Sequence, residues 1–196
     1  DFIENVITRP AMVIAANNSS ASAVTAAKIY PKRISKLMLV SPNGLTDKMA
    51  VNSSKFKRIL MEIPVLGTAY YNVKTSKHAV NKFINNEGFF AKEISRSDLV
   101  DEFYRNSHSE KGNARFAFAS LITNYMNMDI KNYISAIGIP ICIAWGEENT
   151  LNPIKNMDTL RTLLPKSRYY IFEKTKLFPH IENSVEFSNA AEDFLR

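Results

Sequence analysis

Short, uninterrupted apolar runs alternate with polar turns at both ends of the chain, and the rhythm is lost in the middle. Ala11–Ala16 (AMVIAA) follows Pro10 and precedes the polar stretch 17–20. A run this short, apolar throughout and bounded by turn residues, predicts a buried strand. Residues 21–30 carry small and apolar side chains compatible with a closely packed helix, which Pro31 stops. Ile34–Val40 (ISKLMLV) predicts a second buried strand, closed by the turn Ser41-Pro42-Asn43-Gly44. Strand, helix, strand with short connections is a βαβ unit, whose strands lie parallel.

Between residues 47 and 133 no strand pattern is convincing. Helical patches recur at 56–61, 79–84, 99–104 and 116–126, with Pro64, Gly67, residues 85–88 and residues 108–113 read as breaks. The first rhythm returns after Ile139: a strand at 141–145, a polar loop at 146–152, a helix from Pro153 to 164 and a strand at Arg168–Phe172. A loop at 173–183 then leads to a final amphipathic helix from Ser184, with Val185, Phe187, Ala191, Phe194 and Leu195 as its apolar side. The predicted architecture is α/β: about four adjacent parallel strands with flanking helices. The core is expected from residues 1–46 and 132–196, and an all-helical insertion from 47–131.

Composition adds exclusions. A chain of 196 residues that is 45% hydrophobic, with 6 Gly and 8 Pro, can bury a sizeable core and has neither fibrous nor disordered character. Its net charge of +6 leaves an acidic partner open, but no Lys/Arg run of the kind that tracks phosphates occurs, so nucleic acid is not expected. The one cysteine, Cys142, lies in an apolar run; it excludes an internal disulfide and gives no basis for a Cys-based metal site. No apolar run reaches the ~18 residues that span a bilayer and the first ten residues lack signal-peptide character, so a cytoplasmic protein without a membrane span is expected. Neither a Gly-rich phosphate loop nor a second ligand at metal spacing from His78 or His108 is present, so no cofactor and no metal are expected.

Four stretches in order carry a resemblance: the strand, bend and helix of residues 13–30; residues 30–42, with Tyr30-Pro31 and Leu37-Met38-Leu39-Val40-Ser41-Pro42; PICIAWGEENTLNP at 140–153; and FPHIEN at 178–183. Together they resemble the C-terminal part of an α/β-hydrolase carrying a helical lid, of the lipase, esterase and haloperoxidase-like kind. The resemblance covers nearly the whole chain but not the strands with which such proteins begin. It therefore implies a truncated or split protein, or a partner chain or second copy that completes the sheet.

The resemblance also implies where the chemistry would sit. That fold needs a nucleophile on a sharp strand-to-helix turn, a histidine to take its proton and a carboxylate to orient the histidine. Its nucleophile position falls on Asn17, its acid position on Asn149 and its catalytic histidine position on Leu177, with His180 matching a second, structural histidine. A carboxamide has no ionisable proton to surrender, and leucine cannot shuttle one. The expectation is a catalytically inactive member that binds a small apolar or acyl compound, or a protein partner. The alternative is an ester hydrolase using a shifted set, Ser19 as nucleophile, His180 as base and Glu148 (or Glu147) as acid. Against it, Ser19, Ser20 and Ser22 read as first-turn capping and packing residues, and His180 as a histidine hydrogen-bonded in its loop. Lid aromatics such as Phe56, Tyr71, Phe89, Phe116 and Tyr125 could line an apolar pocket, though most should be ordinary helix packing.

Overall fold

The structure is a computed structural model that describes residues 2–45, 59, 61, 63–91, 97–109, 114–122 and 129–196. The expected patch at 56–61 and the later parts of 108–113 and 116–126, with Phe56 and Tyr125, lie largely outside the described residues. The chain divides into two compact units, one of Asp1–Asp47 with Met128–Arg196 and one of Lys48–Asn127.

The first unit is built on one sheet of four parallel strands, β1 (Ala11–Ala16), β2 (Ile34–Val40), β3 (Ile141–Gly146) and β4 (Arg168–Phe172), in the spatial order β1-β2-β3-β4. Because side chains alternate across a strand, β2 and β3 send Leu37, Leu39, Ile141, Ile143 and Trp145 to one face. Met38, Val40, Cys142 and Ala144 go to the other. The first set meets Val24 and Ala27 of helix Ser19–Ile29, Ile130 and Ile134 around the short helix Lys131–Ile134, and Met157 and Leu160 of helix Met157–Leu163. The second meets Phe187, Ala190, Ala191 and Phe194 of the last helix, Ser184–Leu195. The small Cys142 and Ala144 face Ala190 and Ala191, which lets that helix lie close to the sheet. Burial pushes the Cys142 thiol up to about 12, so it stays protonated.

Some boundaries differ from the pattern-based expectation. Helix Ser19–Ile29 starts two residues early, because the chain reverses at Asn17 and enters the helix at once. Val185, expected on the apolar side of the last helix, is 74% exposed, since it sits in the first turn outside the stripe formed by Phe187, Ala190, Ala191 and Phe194. Residues 154–164 split into a 3-10 turn, Ile154–Asn156, and helix Met157–Leu163. A helical turn, Pro179–Glu182, forms within the expected loop 173–183.

The described part of the second unit is helical: Pro64–Lys74, Lys77–Phe83, Ser97–Ser107 and Ala114–Ile122. Pro64 and Gly67 are not breaks. Proline at the first helical position lacks only an N–H that would have no intrahelical acceptor, so Pro64 opens an 11-residue helix. At Gly67 a Cβ would stand 2.6 Å from the Met61 carbonyl oxygen, so a bare residue is required for that approach. Residues Ile84–Gly88, expected as a break, form a π-turn closed by Phe89 N–H donating to Ile84 O at 3.1 Å.

Gly146 closes β3 beneath the loop that follows β4. A Cβ there would lie 2.1 Å from the Lys176 carbonyl oxygen and 2.8 Å from that of Thr175, both rigid backbone atoms. Gly146→Ala is expected to lower stability by about 2–3 kcal/mol. The check is urea unfolding followed by the fluorescence of Trp145, the chain's one tryptophan.

Candidate functional site

Parallel strands all finish on one edge, and the sharp turns of this chain gather there. Asn17, directly after β1, has φ 50°; Ser41, directly after β2, has φ 44°; Lys174, two residues after β4, has φ 52°. Left-handed backbone is uncommon outside glycine, and Asn is enriched there because its short polar side chain relieves the cost. The residues that follow β1, β2 and β3 still feed the sheet. Asn17 N–H donates to Val40 O at 2.8 Å, Ser41 N–H to Ala144 O at 2.8 Å, and Glu147 N–H to Phe172 O at 3.0 Å. The ladder thus runs one residue past β1, β2 and β3.

Above the ladder lies a network of carboxamides. Asn152, 6% exposed, directs its Nδ2 at three acceptors, Ser41 O at 3.1 Å, Pro42 O at 2.9 Å and Asn43 Oδ1 at 3.1 Å. Its Oδ1 accepts from Asn156 Nδ2 at 2.8 Å, its N–H donates to Asn149 Oδ1 at 3.0 Å, and its carbonyl accepts from the Trp145 indole N–H at 2.9 Å. Asn43 continues the chain: its Nδ2 donates to Asn18 Oδ1, and its N–H donates to Asn17 O at 3.3 Å. Asn17 and Asn149 are therefore brought into one connected network through Asn43 and Asn152. No charged side chain is hydrogen-bonded into it among the described residues. Asn152 escapes a reading of the sequence because its partners in the β2 turn are about 110 positions away.

Among the described residues four buried side-chain polar atoms have no hydrogen-bond partner: Asn17 Oδ1, Ser41 Oγ, Asn149 Nδ2 and His180 Nδ1. They belong to the turns after β1 and β2, the loop after β3 and the segment after β4. Leu177, 8% exposed, is buried in that last segment.

The shifted set is not assembled. The Ser19 hydroxyl donates to Ala16 O at 2.7 Å and accepts from Ala16 N–H at 3.1 Å, folding back on the bend. Ser20, fully buried, donates to Ala15 O at 3.2 Å, so these serines fasten the strand end and do not cap the helix. Glu147 and Glu148 are exposed, held through backbone N–H groups on Phe172 O and Thr175 O. His180 packs against the rings of Phe178 at 6.0 Å and Phe187 at 5.7 Å. Its imidazole is held below the ordinary range by burial alone, with no carboxylate beside it to favour the charged ring. No hydrogen bond joins Ser19, Glu148 and His180.

The model of the alpha/beta hydrolase fold family matches residues 20–184. The chain belongs to that family. Its four parallel strands with flanking helices are a partial α/β-hydrolase fold. It is 29% identical over 80 residues to the pimeloyl-[acyl-carrier protein] methyl ester esterase of Aliivibrio salmonicida, a match of 41% of this chain and 31% of that relative's length. Among solved structures it resembles a meta-cleavage product hydrolase from Pseudomonas fluorescens IP01 (TM-score 0.74, 14% identity, 99% of this chain and 67% of that one). It also resembles the enol-lactonase from Burkholderia xenovorans LB400 (TM-score 0.69, 17% identity, 99% of this chain and 68% of that one). Among the described residues no helix is long and apolar enough to cross a membrane, and no three His, Cys, Asp or Glu groups could hold a metal ion.

Two outcomes follow from the geometry. Asn152→Ala removes the clasp and leaves Ser41 O, Pro42 O and Asn43 Oδ1 without their donor; a loss of about 2–3 kcal/mol in urea unfolding is expected, against under ~1 kcal/mol for the peripheral Asn156→Ala. For His180 the native imidazole binds its proton less tightly than the unfolded chain's, whose ordinary value is 6.5. Its contribution is fully present above 6.5 and is lost as pH falls from there through the lower native value. The denaturation midpoint should therefore drop with acidification in that window, and His180→Gln should flatten the drop.

Proposed function

We propose that this α/β-hydrolase family member is a binding protein that does not turn its ligand over. Its strand-edge site would receive an apolar compound with a neutral hydrogen-bonding group of the acyl or ester kind, and its helical unit would act as the lid. The observation that carries the reading is Asn17 at the left-handed bend between β1 and helix Ser19–Ile29. The bend is the shape on which this fold presents a nucleophile, and a carboxamide stands on it with its Oδ1 buried and unpartnered. Asn149 at the acid position supplies no negative charge, and Leu177 at the base position no proton acceptor. The relatives named above as methyl ester esterase and enol-lactonase suggest the ligand class, while the atoms that would act on it are replaced.

The edge of the sheet supports a second element. β1 has a neighbour on one side only, and Met12 and Ile14 on it are 54% and 45% exposed. We infer that further polypeptide, whether more of this chain, a partner chain or a second copy, covers this face, since edge strands with exposed apolar residues invite pairing.

A fluorophosphonate probe and a p-nitrophenyl ester test the reading. No covalent labelling and no turnover above buffer are expected for the wild type, and none for Asn17→Ser, which restores a hydroxyl without a base or an acid. A short-chain methyl ester should nevertheless raise Tm in proportion to occupancy. Labelling that Ser19→Ala abolishes would establish the hydrolase instead.

A further inference from the structure

The second unit holds a cavity of about 340 Å³ of its own, lined by Thr68, Tyr71, Asn72, Ser107, His108, Ser109 and Arg115. The Tyr71 and Ser107 hydroxyls on it have spent their hydrogens. Tyr71 OH donates to Ser107 O, and the Ser107 hydroxyl donates to Phe103 O at 2.8 Å. The donors that remain open belong to Arg115. Arg115 uses Nη1 on Pro64 O at 3.1 Å and on Thr68 Oγ1, which accounts for both hydrogens of that nitrogen and leaves Nε and Nη2 without an acceptor among the described residues. It also has no carboxylate partner among them. The neighbouring cation Lys77, by contrast, is paired with Asp101 at 2.6 Å.

His108 lines the same cavity as the Arg115 cation. Its Nδ1 faces the Tyr104 carbonyl oxygen at 3.0 Å, which can only accept. Its Nε2 faces Thr75 Oγ1 at 3.4 Å, and the one hydrogen of that hydroxyl is directed at Tyr71 O at 2.8 Å. Its face stacks on Tyr104 at 4.3 Å between centroids. The wider field has the same sign. Residues 48–127 contain 12 Lys or Arg and 7 Asp or Glu, nearly all of the chain's net charge of +6.

We propose that this cavity is a binding site for a small organic anion, a carboxylate or a phosphate monoester. Its oxyanion is held by Arg115 Nε and Nη2 in the planar fork that matches such groups. Asn72 and Ser109 stand at the rim as further donors, and the Tyr71 ring supplies an apolar wall for the organic part. The site lies wholly within the helical unit and stands independently of the role of Asn17.

The test is an NMR chemical-shift titration of the unmodified protein with benzoate, with phenyl phosphate and with the neutral isostere benzamide, following the Arg115 Nε–H and the His108 ring. Saturable shifts at a dissociation constant of about 1 mM are expected for the anions and not for benzamide. Tighter binding of phenyl phosphate would mark a phosphorylated ligand, and tighter binding of benzoate a carboxylate; either supports the site. Arg115→Gln should weaken binding at least tenfold, and Arg115→Lys, which keeps the charge but not the fork, should fall between. Equal binding of benzamide, unsaturable shifts, or full affinity in Arg115→Gln would each overturn the proposal. The benzamide comparison needs no variant, so it decides even if Arg115→Gln fails to fold.

Discussion

Four parallel strands deliver their ends to the same edge, and each chain leaving that edge has to reverse without stranding its backbone N–H and C=O groups in a buried place. The molecule meets the constraint by carrying the ladder one residue beyond β1, β2 and β3, from Asn17 to Val40, from Ser41 to Ala144 and from Glu147 to Phe172. Left-handed residues at Asn17 and Ser41 follow from that arrangement, because a right-handed continuation could not keep the last bond and still redirect the chain. The Asn152 amide then ties the β2 turn to the loop after β3. The shape of the whole edge depends on these few bonds.

That dependence separates the scaffold from the chemistry. A bend held by backbone bonds and a positive φ asks of its apex residue only that it tolerate the conformation, and asparagine does. A carboxamide hub can satisfy carbonyls and other carboxamides indefinitely while contributing no charge. An imidazolium at His180, packed against Phe178 and Phe187, would be disfavoured by the single influence acting on it, loss of solvent. Asn17, Asn149 and Leu177 are compatible with an intact fold because none of the three supports the ladder through ionisable chemistry.

What the sequence disclosed divides along the same line. The four strands were legible because each is a short apolar run between turn residues, a local property, and their parallel order follows from the connections. Counting from β1 to Pro31 also puts a bend at Asn17, where the backbone has φ 50°. Helix Pro64–Lys74 was hidden because proline and glycine were weighed as breakers, whereas one occupies the position where its missing N–H does no harm and the other admits the Met61 carbonyl. Asn152 was invisible for a different reason: an asparagine before a proline in a polar loop reads as turn chemistry, and nothing nearby reveals acceptors contributed by residues 41–43. His108 was considered only as a lone metal ligand and Arg115 not at all, while the cavity they share joins residues from separate helices of that unit.

Cys142 has a practical consequence. It is the chain's one thiol, wholly enclosed between β2, β4 and the last helix and held in its unreactive protonated form. Maleimide dyes and nitroxide labels have nothing to attach to on the native surface, so a cysteine introduced at any chosen exposed position would carry the reporter alone. Distances between the two units could then be measured by paired labels without first deleting a native sulfur from the core.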